Sequence, residues 1–132
     1  MATPIRVLIV EDDADSVEIL RAFLRPFGYA VDRATHGADA LMAIRLVRPD
    51  VVLLDIRMRP MSGVEVLKRI RIIDPDIPVI MVTAADDPEL VAETREIGAY
   101  GYLVKPVDPE RLVRMVSEAV APSRRLDRSA TE

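Results

Sequence analysis

The chain has no cysteine and no tryptophan, a single histidine (His36) and only two lysines, Lys68 and Lys105. Without cysteine there is no disulfide framework and no thiol chemistry. Aromatic residues make up 4% of the chain, so its core must be aliphatic. No apolar run approaches the roughly 18 residues that cross a bilayer. The N-terminal MATPIRVLIV lacks a signal-peptide cleavage pattern, so a cytoplasmic protein without membrane contact is expected. Positive charge is also short. Eighteen Lys and Arg face 22 Asp and Glu, a net charge of −4, which argues against a nucleic-acid partner for this domain. What is present suits one domain: half of the 132 residues are hydrophobic, enough to bury a core at this length.

The run Val51-Val52-Leu53-Leu54-Asp55 organises the rest. A short continuous apolar run is the pattern of a strand buried on both faces of a parallel sheet. A carboxylate inside such a strand would be costly to bury; at its C-terminal end it stands at the mouth where open α/β sheets bind ligands. Similar runs predict strands over 6–10, 29–34, 77–82 and 100–104. Between them lie helical patterns. The first carries Val17, Leu20, Phe23 and Leu24 inward, is capped by Asp13 or Asp15, and ends at Pro26 and Gly28. Further helices are predicted over 38–47 (Ala40, Leu41, Ile44 and Val47 or Leu46 inward), 64–73 (Val66, Leu67, Ile70), 88–97 and 109–120 (Leu112, Val113, Val116, Val120). Phe23, Phe27 and Tyr29 are assigned to packing. Five strands alternating with five helices over short loops imply an α/β fold with a parallel sheet and right-handed crossovers. Residues 1–120 form the expected domain. Residues 121–132 are polar and aperiodic, a tail or the start of a linker, with Arg124, Arg125 and Arg128 solvated.

In such a sheet all strand C-termini open on one edge. That edge receives Glu11 and Asp12 after the first strand, Asp55 after the third, Thr83 after the fourth and Lys105 after the fifth. Clustered carboxylates repel one another unless a hard cation joins them, and oxygen ligands suit Mg²⁺. Lys105 can stabilise an additional anion and Thr83 can donate a hydrogen bond to it. A cation, a lysine and a hydroxyl around one carboxylate suit phosphoryl transfer onto that carboxylate. Asp13 is read as a helix cap and His36 as an exposed loop residue, neither as a ligand.

Four segments carry a family likeness: LIVEDD at 8–13, VVLLDIRM at 51–58 followed by Gly63, MVTA at 81–84, and GAYGYLVKP at 98–106. Together, in order and at domain-scale spacing, they resemble the CheY-like receiver domain of two-component response regulators over roughly residues 5–120. The resemblance implies a flavodoxin-like doubly wound sheet of order 2-1-3-4-5. It implies that Asp55 accepts a phosphoryl group from a sensor histidine kinase or a histidine phosphotransfer protein. Mg²⁺ would be held by Asp12, Asp55 and the backbone carbonyl of Arg57, with Glu11 acting through water. Thr83 and Lys105 would contact the phosphoryl oxygens. Tyr102 would be the switch aromatic that turns inward when Thr83 moves. The Lys105-Pro106 bond would be cis. The surface of the fourth helix, fifth strand and fifth helix would then meet a downstream effector or a fused output domain. The domain is expected to be a signalling switch and not an enzyme, as a monomer or a phosphorylation-dependent homodimer. Three departures stand out. Arg59-Pro60 replaces a frequent Pro-Gly, Ser62 stands where an acid is common, and Arg57 and Ala85 occupy the two positions that tune water access to the acyl phosphate.

Other classes fit less well. A phosphohydrolase with an Asp nucleophile would resemble Asp-x-Asp, but the second position here is Arg57. A flavin carrier needs a phosphate cradle after the first strand, where Glu11-Asp12-Asp13 would repel phosphate. A receiver fold used as a phosphorylation-independent interaction module would not need the intact acid cluster.

Overall fold

In the computed structural model, residues 3–84 and 86–131 are described, with the backbone alone for 122–131. Among them five strands alternate with five α-helices: β1 (Arg6–Val10), α1 (Ala14–Leu24), β2 (Ala30–Ala34), α2 (Gly37–Leu46), β3 (Val51–Leu54), α3 (Gly63–Ile73), β4 (Val79–Thr83), α4 (Pro88–Ile97), β5 (Gly101–Val104) and α5 (Pro109–Thr131). Every strand pair is parallel and the order is β2-β1-β3-β4-β5. The residue pattern implied the parallel α/β sheet, and the family resemblance implied this doubly wound flavodoxin-like order.

Strand side chains alternate between faces, and the core divides accordingly. Leu8, Val10, Val52, Leu54, Val79 and Met81 point to one side, where Ala40 and Ile44 of α2 and Val66, Leu67 and Ile70 of α3 cover them. Val7, Ile9, Val51, Leu53, Ile80 and Val82 point to the other, against Val17, Leu20 and Leu24 of α1 and Leu112 and Val116 of α5. Burial on both faces is why β3 and β4 read as unbroken apolar runs.

The helices start where short polar side chains satisfy exposed backbone N–H groups. Asp13 caps α1, its Oδ2 accepting from the Ser16 N–H at 3.2 Å. Ser62 caps α3 by accepting from the Glu65 N–H at 3.3 Å, so the serine at this acid-favouring position has a helix end to hold. Asp87 caps α4 through Glu89 N–H at 2.9 Å. At the far end of α3, the Arg71 guanidinium donates to the carbonyls of Pro75 (2.7 Å) and Ile77, which ties the turn into β4.

Several side chains lie where the sequence pattern did not put them. Leu46 and Val47 are 76% and 55% exposed, not inward. Leu46 is about 200° around the helix from buried Ile44, and Val47 has already left the helix with φ −142° and ψ 104°. Phe27 is 63% exposed. It sits in a 3-10 turn (Arg25–Phe27) that Gly28 closes at φ 81°, so the chain reverses before the ring can enter the core. Phe23 and Tyr29 do pack against the α1–α5 side. α5 runs to Thr131, beyond the helix end expected at Val120. The side chains of Arg124, Arg125 and Arg128 lie outside the described residues, as does Ala85.

Candidate phosphoacceptor site

Strand register assembles the acids. Val10 of β1 is paired with Leu54 of β3, so the next residues, Glu11 and Asp55, leave the sheet side by side. The Asp55 N–H donates to the Val10 carbonyl at 3.1 Å and the Glu11 N–H to the Ala34 carbonyl at 3.0 Å. Both carboxylates are therefore held by sheet backbone that has just ended. Glu11 is 2% and Asp55 7% exposed, while Asp12 faces solvent. One oxygen from each of the three lies within 4.8 Å of the others.

Lys105 arrives from β5 on the other side of Asp55. Its backbone N–H donates to the Thr83 carbonyl at 2.9 Å, which places it directly over the end of β4. Its Nζ donates to Glu11 Oε1, stands 3.8 Å from Asp55 Oδ2 and reaches Ser16 Oγ at 3.4 Å. Asp55 Oδ1 accepts from the Arg57 N–H at 3.2 Å. Thr83 is fully buried at the end of β4. Tyr102 is half-buried on β5, opposite Met81 of β4, and its ring packs against the α2–α3 core. The structure thus brings Glu11, Asp12, Asp55, Thr83 and Lys105 to one edge. Asp13 is a cap and His36 is exposed, 3.6 Å from Asp39, as read from the sequence.

The local charge is unbalanced, with three carboxylates around one ammonium. Burial pushes Glu11 up to about 7; the Lys105 hydrogen bond pulls it back, and the Asp55 charge pushes it up again. Burial, followed by the charges of Asp86 and Asp87, raises the Tyr102 phenol. The Ser16 hydroxyl, which donates to Asp13 Oδ2 at 2.6 Å, holds the Asp13 carboxyl below its ordinary value. A cluster of carboxylate oxygens with surplus negative charge, two of its three residues buried, fits a hard divalent cation such as Mg²⁺.

Three contributors were not picked out from the sequence. Arg33 of β2 donates to the backbone carbonyls of Glu11 (3.3 Å) and Asp12 (3.1 Å) and so fastens the acid turn. Ser16 meets Lys105. Gly63 was noted only as following the second family segment, but its role is contact: a Cβ there would lie 2.1 Å from the Asp55 carbonyl oxygen. Only spacing along α1 could have hinted at Ser16. The family segment marked the Gly63 position without its contact, and nothing in the sequence signals the Arg33 contact. Both Arg59-Pro60 and Lys105-Pro106 are cis; the family likeness implied the second.

A family model for the response regulator receiver domain matches residues 7–117. The chain belongs to that family. It is 41% identical over 126 residues to the transcriptional regulatory protein ZraR of Klebsiella oxytoca, covering 96% of this chain and 28% of that protein. The chain thus spans little more than a quarter of that relative's length. Among solved structures it resembles a CheY-like receiver domain protein from Methanospirillum hungatei, with a TM-score of 0.87 and 28% identity over 93% of this chain and 98% of that one. It also resembles the chemotaxis protein CheY4 of Vibrio cholerae, with a TM-score of 0.83 and 32% identity over 89% of this chain and 99% of that one. The acid pocket of Glu11, Asp12 and Asp55 is consistent with the phosphoacceptor site of a two-component receiver.

Proposed function

We propose that this domain is a phosphorylation-activated switch with Asp55 as the phosphoacceptor. The observation that carries this reading is the place of the Asp55 carboxylate, between the Lys105 ammonium and the Glu11–Asp12 pair. An Asp55 carboxylate oxygen attacks the phosphorus of a phosphohistidine on a sensor histidine kinase or phosphotransfer protein. The P–O bond forms as the P–N bond breaks, and the electron pair stays on the imidazole nitrogen, which takes up a proton. Lys105 neutralises the phosphoryl oxygens and Thr83 donates a hydrogen bond to them. Asp12, Asp55 and the Arg57 carbonyl would hold Mg²⁺, with Glu11 acting through water; when bound it would neutralise charge on the transferring group. Hydrolysis of the acyl phosphate by water then resets the domain, so it takes part in its own reaction without being an enzyme that turns over a separate substrate.

The output reading rests on the fold next to the site. Thr83 and Tyr102 lie on adjacent paired strands, and a shift of the threonine toward a phosphoryl group vacates space beside the tyrosine ring. The surface of α4, β5 and α5 then meets a downstream effector or a fused output domain, as a monomer or a phosphorylation-dependent homodimer. The segment from residue 121, which continues α5 to Thr131, serves as tail or linker. A cytoplasmic site of action suits a kinase-fed switch. Among the described residues no helix is long and apolar enough to cross a membrane, and the acidic balance speaks against nucleic-acid binding by this domain.

The test is intact mass after incubation with acetyl phosphate and Mg²⁺. One phosphoryl adduct is expected on the native chain, none on Asp55→Asn, and none when EDTA precedes the phosphodonor. An unmodified native chain would reject the phosphoacceptor reading in favour of a phosphorylation-independent module.

A further inference from the structure

Lys105 carries a long stem with four rotatable bonds, yet its ammonium must stand at one point beside Asp55. An ammonium has three N–H donors. One goes to Glu11 Oε1, and Asp55 Oδ2 at 3.8 Å lies beyond hydrogen-bond length. Among the described residues the other acceptor is Ser16 Oγ, at 3.4 Å, in the first turn of α1. Ser16 is itself oriented. Its hydroxyl proton is directed to Asp13 Oδ2 at 2.6 Å, so an oxygen lone pair, and not the proton, can face the ammonium. Asp13 is in turn fixed as the α1 cap by the Ser16 N–H.

We propose that the Asp13–Ser16 pair positions Lys105 for phosphoryl transfer, with Ser16 as a positioning residue that acts through the lysine. The proposal rests on Asp55 being the phosphoacceptor. Its physical basis is a difference between the two Lys105 acceptors. Glu11 belongs to the acid cluster, so a divalent cation competes with Lys105 for its oxygens. Ser16 is neutral and is not one of the clustered carboxylates, so a divalent cation competes far less for its hydroxyl oxygen. It keeps the lysine in place when Glu11 is drawn away and the third N–H turns to a phosphoryl oxygen.

The experiment is a time course of adduct formation from acetyl phosphate and Mg²⁺, read by intact mass, for the native chain, Ser16→Ala and Ser16→Thr. All three are repeated with Lys105→Ala. Ser16→Ala is expected to slow phosphorylation about fivefold, the loss of one hydrogen bond to a charged group. Mg²⁺ affinity and the urea midpoint should not change, because alanine suits the first turn of a helix. Ser16→Thr, which keeps the hydroxyl, should restore the rate to within about twofold of native. In the Lys105→Ala background Ser16→Ala should cost nothing further, because the group it positions is gone. A Ser16→Ala rate equal to native would overturn the proposal while leaving Asp55 as acceptor, and so would a slowing that persists without Lys105 or that threonine does not rescue. A native chain that takes no phosphoryl group would remove both together.

Discussion

At the ends of β1 and β3 the backbone is held from every side. Val10 pairs with both Ala34 and Leu54, Arg33 clamps the turn carbonyls, and Gly63 packs directly on the Asp55 carbonyl. α3, which covers this end, buries Gly63, Val66, Leu67 and Ile70. The flank formed by α4 and β5 is thinner. The buried residue of α4 is Thr94, whose hydroxyl donates to the Val91 carbonyl of its own helix. Leu90 and Ile97 reach the core only in part, and β5 is an edge strand with Val104 facing out. Local stability follows buried apolar contact. One half of the molecule thus holds Asp55 in fixed geometry, and the other has less buried apolar contact to fix its packing. A switch needs both: a rigid site that recognises the signal, and a nearby element whose alternative arrangements differ little in energy.

The contrast can be broken most forcefully at Gly63. Gly63→Ala puts a methyl 2.1 Å from the Asp55 carbonyl oxygen and 2.6 Å from Ile56 Cα. Because backbone must move, a loss on the order of 4 kcal/mol is expected in urea unfolding; a loss under about 1 kcal/mol would show that the acid end is not tightly seated. Next comes a matched pair. Leu67→Ala, at a fully buried position of α3, should cost about 3 kcal/mol. Leu90→Ala, at a half-buried position of α4, should cost about 1 kcal/mol by the same measurement. Equal losses would erase the distinction between the two halves.

A smaller effect concerns the charge on Glu11. Burial, partly offset by the Lys105 hydrogen bond and reinforced by the Asp55 charge, raises it from 4.5 to about 7. A carboxyl raised in the folded state favours folding most below its unfolded value, and that contribution is lost as pH climbs through about 7. A divalent cation competes with the proton, so apparent Mg²⁺ affinity should rise about tenfold between about pH 6 and pH 8. Calorimetric titration should show this slope, and Glu11→Gln should flatten it; a native profile already flat would contradict the raised value. The smallest effect is expected at Arg57, an exposed residue two positions after Asp55. If it shields the acyl phosphate from water, Arg57→Asn should speed dephosphorylation about threefold, under 1 kcal/mol of barrier. An unchanged decay of the phosphorylated mass would exclude that role.

Much of this molecule is legible without coordinates because a parallel α/β sheet writes itself plainly. Strands buried on two faces must be apolar throughout, and polar residues that end them must fall on one edge. Glu11, Asp12, Asp55, Thr83 and Lys105 could each be placed on that edge by counting from a strand end. Asp13 as a cap and His36 as a bystander followed from local chemistry. The errors came where periodicity meets an element's end. Leu46 and Val47 continue an apolar pattern, but Leu46 faces away from Ile44 in the last turn and Val47 lies past the helix end. Phe27 is aromatic in a chain with few aromatics, yet a three-residue turn and Gly28 turn it outward.

The order of apolar runs and breakers along the chain determined the fold class, the sheet edge that holds the acids and the place of Asp55 on it, because burial and strand polarity are local consequences of residue type. Tertiary structure alone decided how those groups meet. Register set Glu11 beside Asp55, the end of β4 set Lys105 over both, and the first turn of α1 brought Ser16 to the lysine from 89 residues away. Contacts across such separations depend on how strands pair and helices pack, and no local pattern encodes them.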